Sequence, residues 1–459
     1  MASDTSDITI RDEDGAIAPD FIHAVLQVVE AQDKTQLDAL VAELHEADLA
    51  DLIELLTSND RREFISFLGE NLNFSALSEL DETVRDDVLE ILPNKVVAEA
   101  VQELDSDDAV YLLEDLDDEE KSEILKHLPA ADRATLERSL EYPEDSAGRL
   151  MQTDFISVPA FWSVGQTIDF LRQSKDLPDS FQDIFVIDPA FHLLGKIALD
   201  RILRTQRDIS IRDIMETEQT IVTVDQDQEE VAHVFEQYNL ISAAVADEYN
   251  RLVGVVTIDD VVDVIHEEAS EDIHRLGGVG DESLADSVIS TASGRLTWLM
   301  INLATAILAS LVISMFDATI EQLVALAVLM PIVASMGGNA GTQTMTVAVR
   351  SIATRDLGPV NAKRVIMREV LVGLINGCIF AVVMGVVAYF WFDNITLGLV
   401  IAAAMTVNMI VAGLSGIIIP ITLDRLDIDP AIASSVFVTT VTDVVGFFSF
   451  LGLAAWWLV

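Results

Sequence analysis

The last third of the chain contains five apolar stretches, each long enough to cross a bilayer. A helix rises about 1.5 Å per residue, so about 20 apolar residues span the hydrocarbon core. A helix buried in a soluble core would be shorter and would carry a polar face. The sequence therefore predicts a polytopic membrane domain, with spans at 296–316, 322–349, 370–392, 395–423 and 431–458.

Charge separates this region from the rest of the chain. The net charge is −50, yet 51% of the residues are hydrophobic, and residues 294–459 carry only −2. The preceding residues therefore carry −48, which excludes a nucleic-acid-binding protein because phosphate binding requires an excess of Lys and Arg. The single cysteine, Cys378, excludes a disulfide framework and a thiolate metal site.

The acids themselves allow two interpretations. Most of them fit a solvated surface, and adaptation to a saline habitat would produce the same excess. The acids at 267–286, next to the first span, instead suggest crowded carboxylates that a cation would bridge.

The positions of Lys and Arg predict the orientation of the spans. Basic residues in short connections are retained on the cytoplasmic side, and they concentrate at 350–368, between the second and third spans. This pattern predicts a cytoplasmic amino terminus and an external carboxyl terminus. Residues 1–20 are acidic without an apolar core, so we expect a flexible segment and not a signal peptide. An odd number of spans favours a pathway on the axis of a homodimer.

One acid, Asp443, lies deep inside a predicted span, where a charge costs about 3 kcal/mol. Such groups usually face a bundle interior or water, which makes Asp443 a candidate for an ion pathway. The alternative is a protonated carboxyl in an interhelical hydrogen bond. Thr439, Thr440 and Thr442 either extend a polar stripe or bond to their own helix backbone.

The second span contains an unusual segment, Pro331 to Thr344. Its proline, glycines and polar side chains predict a broken or loosened helix that lines a cavity. Close helix packing through the glycines is the alternative reading. Asn339 and Gln343 are four residues apart and share a helix face, and oxygen ligands without His or Cys suit a hard cation. The glycines are Gly337, Gly338 and Gly341.

Two internal repeats organise the front of the chain. Residues 80–93 match 116–129 at a period of 36, with a looser copy at 45–69, which predicts an α-solenoid over 21–140. A second repeat, of about 64 residues, places Met151 and Met215 in register. Each of its copies continues into a pair of short strands and a helix.

This second repeat resembles a tandem pair of CBS domains, a βαββα module that often binds adenine nucleotides. The resemblance places the first domain at 141–205 and the second at 206–268. Thr257 and Asp260 keep the spacing that such modules use on a ribose, whereas the first copy has Ala198 and Arg201 there. A nucleotide such as ATP is therefore implied only at the second copy.

Taken together, the motifs resemble those of the MgtE family of magnesium channels and transporters. The most specific matches are GGNAGTQ and RSIATRDL around the end of the second span, and DPAIASSVFVTTVTDVVGF in the last. The resemblance implies a multidomain membrane protein with an α-helical superhelical N domain and α/β tandem CBS domains. A connecting helix at 269–294 and an all-α five-helix transmembrane domain at 295–459 would follow.

The resemblance also implies a homodimer whose pore lies between the second and fifth spans. Mg²⁺ sheds water reluctantly, so two carboxylates on a two-fold axis can hold its water shell. The implied pathway residues are Asp443, Asn339, Gly338, Gly341, Gln343 and Thr439. The implied acids that bind cytosolic Mg²⁺ and close the pore are Asp107, Asp227, Glu229, Asp260, Glu268, Glu271 and Asp272.

We therefore expect a Mg²⁺-selective influx channel of the inner (plasma) membrane that cytosolic Mg²⁺ closes. A divalent cation secondary transporter coupled to Na⁺ or H⁺ is one alternative, and a membrane-anchored sensor that transports nothing is another. An enzyme is not expected, because the sequence shows neither a nucleophile–base pair nor a phosphate loop.

Overall fold

A computed structural model describes residues 9–42, 44–114, 116–175, 177–178, 180–280, 288–426 and 428–458. The chain divides into two compact units between Glu267 and Glu268. Each unit is described by itself. The predicted architecture is confirmed: a helical N domain, two small α/β domains and five long apolar helices follow one another.

The first unit begins with an array of short helices around one apolar core that extends from Ile17 to Leu136. Their bounds are α1 (Pro19–Glu30), α2 (Lys34–Val41), α3 (Glu46–Leu55), α4 (Ser58–Leu68), α5 (Glu82–Ile91), α6 (Asn94–Glu103), α7 (Ser106–Glu114), α8 (Asp118–Leu125) and α9 (Ala130–Leu140).

The period of 36 residues reappears in the way the helices begin. Asp81 caps α5 by accepting a hydrogen bond from the backbone of Thr83, and Asp117 caps α8 through the backbone N–H groups of Glu119 and Glu120. An aspartate at this position satisfies donors that have no partner inside the helix. The predicted repeat is therefore a repeat of helix caps as well as of apolar faces.

The acidic amino terminus differs from the expectation of flexibility over 1–20. Residues 1–8 lie outside the described residues, but Arg11 pairs with Asp48 and Asp51 of α3 at 2.5 and 2.6 Å. Ile17 and Ala18 are buried in the core of the array. The apolar residues after the acidic stretch therefore anchor it to the N domain.

Two small sheets follow, each with its middle strand parallel to one neighbour and antiparallel to the other. The first repeat contains α10 (Ala147–Leu150), β1 (Ser157–Pro159), α11 (Val164–Gln173), β2 (Asp183–Ile187), β3 (Leu193–Ala198) and α12 (Leu199–Arg204). The second contains α13 (Ile211–Ile214), β4 (Ile221–Thr223), α14 (Gln228–Tyr238), β5 (Ser242–Ala246), β6 (Leu252–Thr257) and α15 (Ile258–Gly277).

The two repeats exchange the short helices that precede them. Ala147 and Met151 lie in the core of the second repeat, whereas Ile211 and Ile214 lie in the core of the first. A β-carbon on Gly254 would lie 2.5 Å from the sulfur of Met151, so this contact requires glycine. The predicted division between residues 205 and 206 therefore cuts through both cores, and the two repeats form one folding unit.

The connecting helix also differs from the predicted bounds of 269–294. It is the continuation of α15, which ends at Gly277, and the next helix begins at Val288. Gly278, at φ +69°, donates to the Arg275 carbonyl, and Val279 donates to the His274 carbonyl. This pair of bonds terminates a helix at a left-handed residue. Residues 281–287, part of the acidic junction at 267–286, lie outside the described residues.

The second unit contains five helices that are long and apolar enough to cross a membrane, as predicted. α20 packs against α18, α19 and α21, and α16 packs against α21. The helices are α16 (Val288–Ser314), α18 (Ala325–Ala353), α19 (Ala362–Phe392), α20 (Ile395–Asp424) and α21 (Pro430–Trp457), with a short α17 (Asp317–Gln322) after the first span.

The expectation of a broken second span is wrong, because α18 is continuous through Pro331. The alternative reading, close packing through glycines, describes the structure. A β-carbon on Gly341 would lie 2.5 Å from Val438 of α21, and one on Gly416 would lie 2.7 Å from the Gly341 carbonyl. In lipid, small residues let helix backbones approach closely, so the glycines set the helix spacing.

Arg61 joins three consecutive helices of the N domain. Its side chain is 3% exposed and donates to the carbonyls of Ile53 and Leu56 at the end of α3, at 3.2 and 3.3 Å. It also pairs with Asp87 of α5 at 2.8 Å. The guanidinium therefore adds hydrogen-bond donors at the end of α3, where helix carbonyls have few backbone partners.

Replacing Arg61 by Ala should destabilise the first unit by about 2 kcal/mol, because it removes a buried charged group that donates to two carbonyls of α3 and pairs with the partly exposed Asp87. Denaturant unfolding of residues 9–267 measures this change. Arg62→Ala, at the exposed neighbouring position, is the matched control and should change the free energy of unfolding by less than about 0.5 kcal/mol. Equal effects of the two substitutions would contradict the role given to Arg61.

Candidate ion pathway and regulatory acids

Asp443 lies half-buried in the middle of α21. Around it, α21 meets α18 at small residues. A β-carbon on Gly338 would lie 4.0 Å from the methyl of Thr439, and Gly341 faces Val438 and Thr442. The structure therefore brings together Gly338, Gly341 and Thr439, and it places Asp443 on the same helix one turn beyond Thr439.

The threonines before Asp443 bond to their own helix, which was one of the two readings. Thr439 donates to the Ser435 carbonyl at 2.9 Å, and Thr440 donates to the Val436 carbonyl at 2.6 Å. Thr442 donates to the Thr439 carbonyl at 3.0 Å. Their hydroxyl protons are thus used within α21, which leaves the oxygens as acceptors.

Asn339 and Gln343 are exposed and share a face of α18, as predicted. Each lies two residues from Gly341, about 200° around the helix. Gly341 faces α21, so both amides lie on the side of α18 that points away from that contact. The polar residues of the segment therefore lie on an open face, while its glycines form the packed face.

Sequence reasoning missed a second acid in the membrane domain, Glu369, because it lies at the cytoplasmic edge predicted for the third span. The structure extends α19 back to Ala362, so Glu369 lies inside the helix. Its carboxylate accepts from Thr344 of α18 at 3.4 Å and pairs with Arg368 at 2.9 Å. Five basic residues at 350–368 precede it in the same connection, so the sequence assigned Glu369 to a charged cytoplasmic connection.

In the first unit, Asp107 of α7 and Asp260 of α15 face each other. Asp107 is 7% exposed, and no described residue hydrogen-bonds its Oδ1 atom. Asp260 accepts a hydrogen bond from the Thr257 hydroxyl at 2.5 Å. Next to them, the backbone of Thr153 donates to the Ser106 hydroxyl at 2.7 Å. The N domain and the second CBS repeat thus bury two carboxyls against each other.

Burial and neighbouring negative charges raise the pKa values of this group. Burial first, and then the charges of Asp260 and Asp108, raise the pKa of Asp107 well above its usual range. Burial and the charge of Asp260 raise the pKa of Asp108 to about 7. Burial and the charge of Asp259 raise the pKa of Asp260 to about 6. Either protons or a cation would relieve this repulsion.

The other predicted regulatory acids are described within their own units. Asp227 is exposed and caps α14 through the backbone N–H of Glu229 at 2.9 Å. In the second unit, Glu271 pairs with Arg275, which also pairs with Asp429. Burial and the charge of Asp429 raise the pKa of Asp272.

Glu268 is half-buried on α15, at the start of the second unit. Across the described ranges, no group of three or more His, Cys, Asp or Glu side chains could hold a metal ion. The seven predicted acids therefore do not form one closed metal cage.

Three family models match the chain. A model described as a divalent cation transporter, MgtE, matches residues 330–453, and the MgtE intracellular N domain matches residues 44–145. The CBS domain model matches residues 211–267, the second repeat. The matched regions contain Asp443, Asp107 and Asp260.

Curated relatives extend the likeness over most of the chain. The magnesium transporter MgtE of Enterococcus faecalis is 34% identical over 70% of this chain and 71% of its own. That of Thermus thermophilus is 34% identical over 70% of this chain and 72% of its own. A solved structure of the cytosolic domain of the Mg²⁺ channel MgtE with ATP is 29% identical, covers 53% of this chain and 99% of its own, and has a TM-score of 0.49.

The raised pKa values predict how pH affects the first unit without divalent cations. A carboxyl whose pKa is higher in the folded state stabilises that state below pH 4, and the contribution is lost as pH rises through the folded value. For Asp260 and Asp108 these values are about 6 and about 7. The free energy of unfolding of residues 9–267 in chelator should therefore fall between pH 5 and pH 8.

Unfolding titrations at several pH values test this expectation. Asp108→Asn and Asp260→Asn should flatten the fall, because each removes one titrating group and one repulsive charge. Asp118→Asn, at an exposed site of α8, should leave the pH profile unchanged. A profile that rises with pH in the unmodified protein would contradict the assigned electrostatics.

Proposed function

The chain belongs to the MgtE family of magnesium transporters, and from that premise we propose that it is a homodimeric Mg²⁺ channel of the cell membrane that cytosolic Mg²⁺ closes. The observation that carries the proposal is the buried pair of carboxyls from two domains, Asp107 and Asp260. The N domain and CBS repeats would lie in the cytoplasm, with the carboxyl terminus outside.

The pair suits Mg²⁺ as the regulatory ion. Mg²⁺ keeps several of its waters and is commonly held by one or two carboxylates, so a site of two acids is sufficient. A divalent cation between Asp107 and Asp260 would replace repulsion by attraction. It would therefore favour the state in which the N domain lies against α15, and by linkage that state would bind the cation more tightly.

The connecting helix α15 belongs to both units. α15 is continuous from Asp260 to Gly277. In the second unit, Leu276 packs against a buried apolar cluster that α18 and α21 form together. The end of α15 thus contacts the two helices to which the pathway is assigned. We propose that Mg²⁺ closes the pathway by fixing α15, and that loss of Mg²⁺ lets α15 move away from this contact.

An uncovered apolar stripe on α15 supports the homodimer. Ile258, Val262, Ile265 and Ile273 recur at helical spacing and are exposed in the single chain. The seam of a helix that packs on a partner has this periodicity. A second copy would bury both stripes against each other and would place two copies of Asp443 on opposite sides of one axis.

Asp443 is proposed as the conducting site for hydrated Mg²⁺. It is half-buried in a span, and the oxygen of half-buried Thr439, one turn before it, can still accept a hydrogen bond. Two carboxylates across an axis would attract a divalent cation while it retains its inner waters. Gly338 and Gly341 would border this pathway where α18 meets α21, and Asn339 and Gln343 are proposed to extend it along the open face of α18.

Two further assignments complete the proposal. Glu268, Glu271 and Asp272 on α15, with Asp227 and Glu229 at the start of α14, would bind additional regulatory Mg²⁺. ATP is proposed at Thr257 and Asp260, although their mutual hydrogen bond at 2.5 Å occupies both side chains here. Since Asp260 also faces Asp107, we favour its role in Mg²⁺ sensing over ribose binding.

Coupled transport remains the alternative function. In a carrier driven by Na⁺ or H⁺, Asp443 would titrate or exchange ions during a cycle, and flux would depend on the gradient of the second ion. The sensor alternative predicts no Mg²⁺ flux at all. Currents in patches of the purified protein, recorded at increasing cytoplasmic Mg²⁺, separate the three functions.

Asp443→Asn should lower Mg²⁺ flux by about a hundredfold, equivalent to about 2.7 kcal/mol, because the amide cannot supply the charge that attracts the cation. Mg²⁺ entry into proteoliposomes, followed with a Mg²⁺-sensitive dye, measures the effect. Asp393→Asn is the matched control: Asp393 is exposed at the end of α19 with φ +48°, which Asn tolerates. Unchanged Mg²⁺ flux in the Asp443→Asn variant would contradict the assignment of Asp443 to the ion pathway.

Asp260→Asn should require about tenfold more cytoplasmic Mg²⁺ to close the channel, equivalent to about 1.4 kcal/mol. The cause is the loss of one of the two facing charges. Asp118→Asn, at the exposed site of α8, should leave the closing concentration unchanged. Macroscopic currents at graded Mg²⁺ give both values, and identical inhibition curves would refute the sensing role of Asp260.

A further inference from the structure

Asn408 is a buried polar side chain at the centre of the membrane unit. It lies in α20 and is 1% exposed. Its Nδ2 group donates to the Val333 carbonyl of α18 at 2.8 Å. None of the described residues hydrogen-bonds its Oδ1 atom, which is also buried. A polar side chain is thus held inside a lipid-embedded bundle with only part of its hydrogen-bonding capacity used.

Two glycines on different helices form the slot that holds this amide. On α18, a β-carbon at Gly337 would overlap Asn408 Nδ2 and would lie 2.8 Å from its Cγ. On α21, a β-carbon at Gly446 would lie 2.8 Å from Nδ2 and 3.1 Å from Cγ. Asn408 therefore reaches from α20 between α18 and α21 and touches both.

This position couples Asn408 to the proposed pathway. Gly337 is two residues before Asn339, and Gly446 is three residues after Asp443, on the adjacent helical turn. A change in the size of the side chain at 408 would change the separation of the two helices at this level. A change in its hydrogen bonding would release the register between α20 and α18, because the bond to Val333 is directional.

Packing alone does not account for an amide here. Leaving a buried carbonyl oxygen without a partner is unfavourable, and an apolar side chain of similar size would avoid that loss. The directional bond to Val333 instead fixes the position of α20 against the Pro331–Gly338 part of α18, which apolar packing would not do.

We infer that Asn408 is a positioning residue that sets the separation of α18 and α21, and with it the discrimination of the pathway between Mg²⁺ and larger divalent cations such as Ca²⁺. The inference rests on the proposed conduction function. It assigns no contact between Asn408 and the ion. Its effect acts through the placement of Asp443 and of the α18 face that carries Asn339.

The test is a double-mutant cycle at positions 408 and 337, read out as Mg²⁺ and Ca²⁺ entry into proteoliposomes. Asn408→Ala should lower Mg²⁺ flux by about tenfold, since a shift of about 1 Å in positioning can cost that much or more. It should also raise Ca²⁺ flux relative to Mg²⁺ flux severalfold. Gly337→Ala alone should impair flux, because its methyl group overlaps the amide of Asn408.

The double variant Asn408→Ala with Gly337→Ala should recover much of the Mg²⁺ preference, because the new methyl group occupies the space that the amide vacated. Asn408→Leu, which keeps the number and branching of the side-chain heavy atoms without the amide, should leave thermal stability equal or higher while flux falls. A merely structural residue would instead lose flux and stability together. Ser415→Ala is the control: Ser415 is buried in the same helix, donates only to the Ala412 carbonyl and should behave as the unmodified protein.

The outcomes separate this inference from the proposed function. Normal Mg²⁺ flux in the unmodified protein, with unchanged flux and selectivity in the Asn408 variants, would overturn the inference and leave the channel intact. The inference would also be overturned if each variant lost flux in proportion to its loss of thermal stability, and if the losses of the two single variants added up in the double variant. Absence of flux in the unmodified protein would overturn both the channel and the positioning role.

Discussion

The membrane unit depends on how closely α20 can approach its neighbours. Helices in lipid gain little from burying apolar surface, so contact between backbones supplies the attraction. A β-carbon on Gly373 would lie 2.6 Å from the Met409 carbonyl, and one on Gly413 would lie 2.9 Å from the Glu369 carbonyl. With Gly416 against Gly341, these contacts hold α18 and α19 against α20. The positions of Asn408 and of Glu369 follow from that packing.

A second constraint, repulsion between carboxyls, acts in the first unit. The N domain contributes Asp107 and Asp108 to the same place on which α15 presents Asp260. Burial removes the water that would solvate these charges, and this desolvation raises the pKa values of the three carboxyls. Packing in this region is therefore conditional on a counter-charge. A protein with this arrangement is suited to respond to the concentration of a divalent cation, which is the basis of the proposed regulation.

The two constraints give the units different kinds of stability. Glycine contacts between membrane helices involve no titrating group and are insensitive to ions, whereas contacts around Asp107 depend on protons and cations. Arg149 joins α7 to the first CBS repeat by pairing with Glu114 and by donating to the carbonyls of Tyr142 and Leu140. These contacts attach the N domain to the start of the CBS region.

The sequence by itself determined the number of spans, the helix repeat and the tandem CBS repeat, because apolar periodicity, cap residues and motif spacing are local properties. It also identified Asp443 as a candidate for the ion pathway, and Asp107 and Asp260 as candidates for binding regulatory Mg²⁺. Only the tertiary structure decided that α18 continues through Pro331, that the CBS repeats exchange their first helices, and that Glu369 and Asn408 belong to the membrane core. Each of these depends on which distant residues meet: glycines that admit a neighbouring backbone, a core completed by the other repeat, and an amide that bonds to a helix 75 residues away.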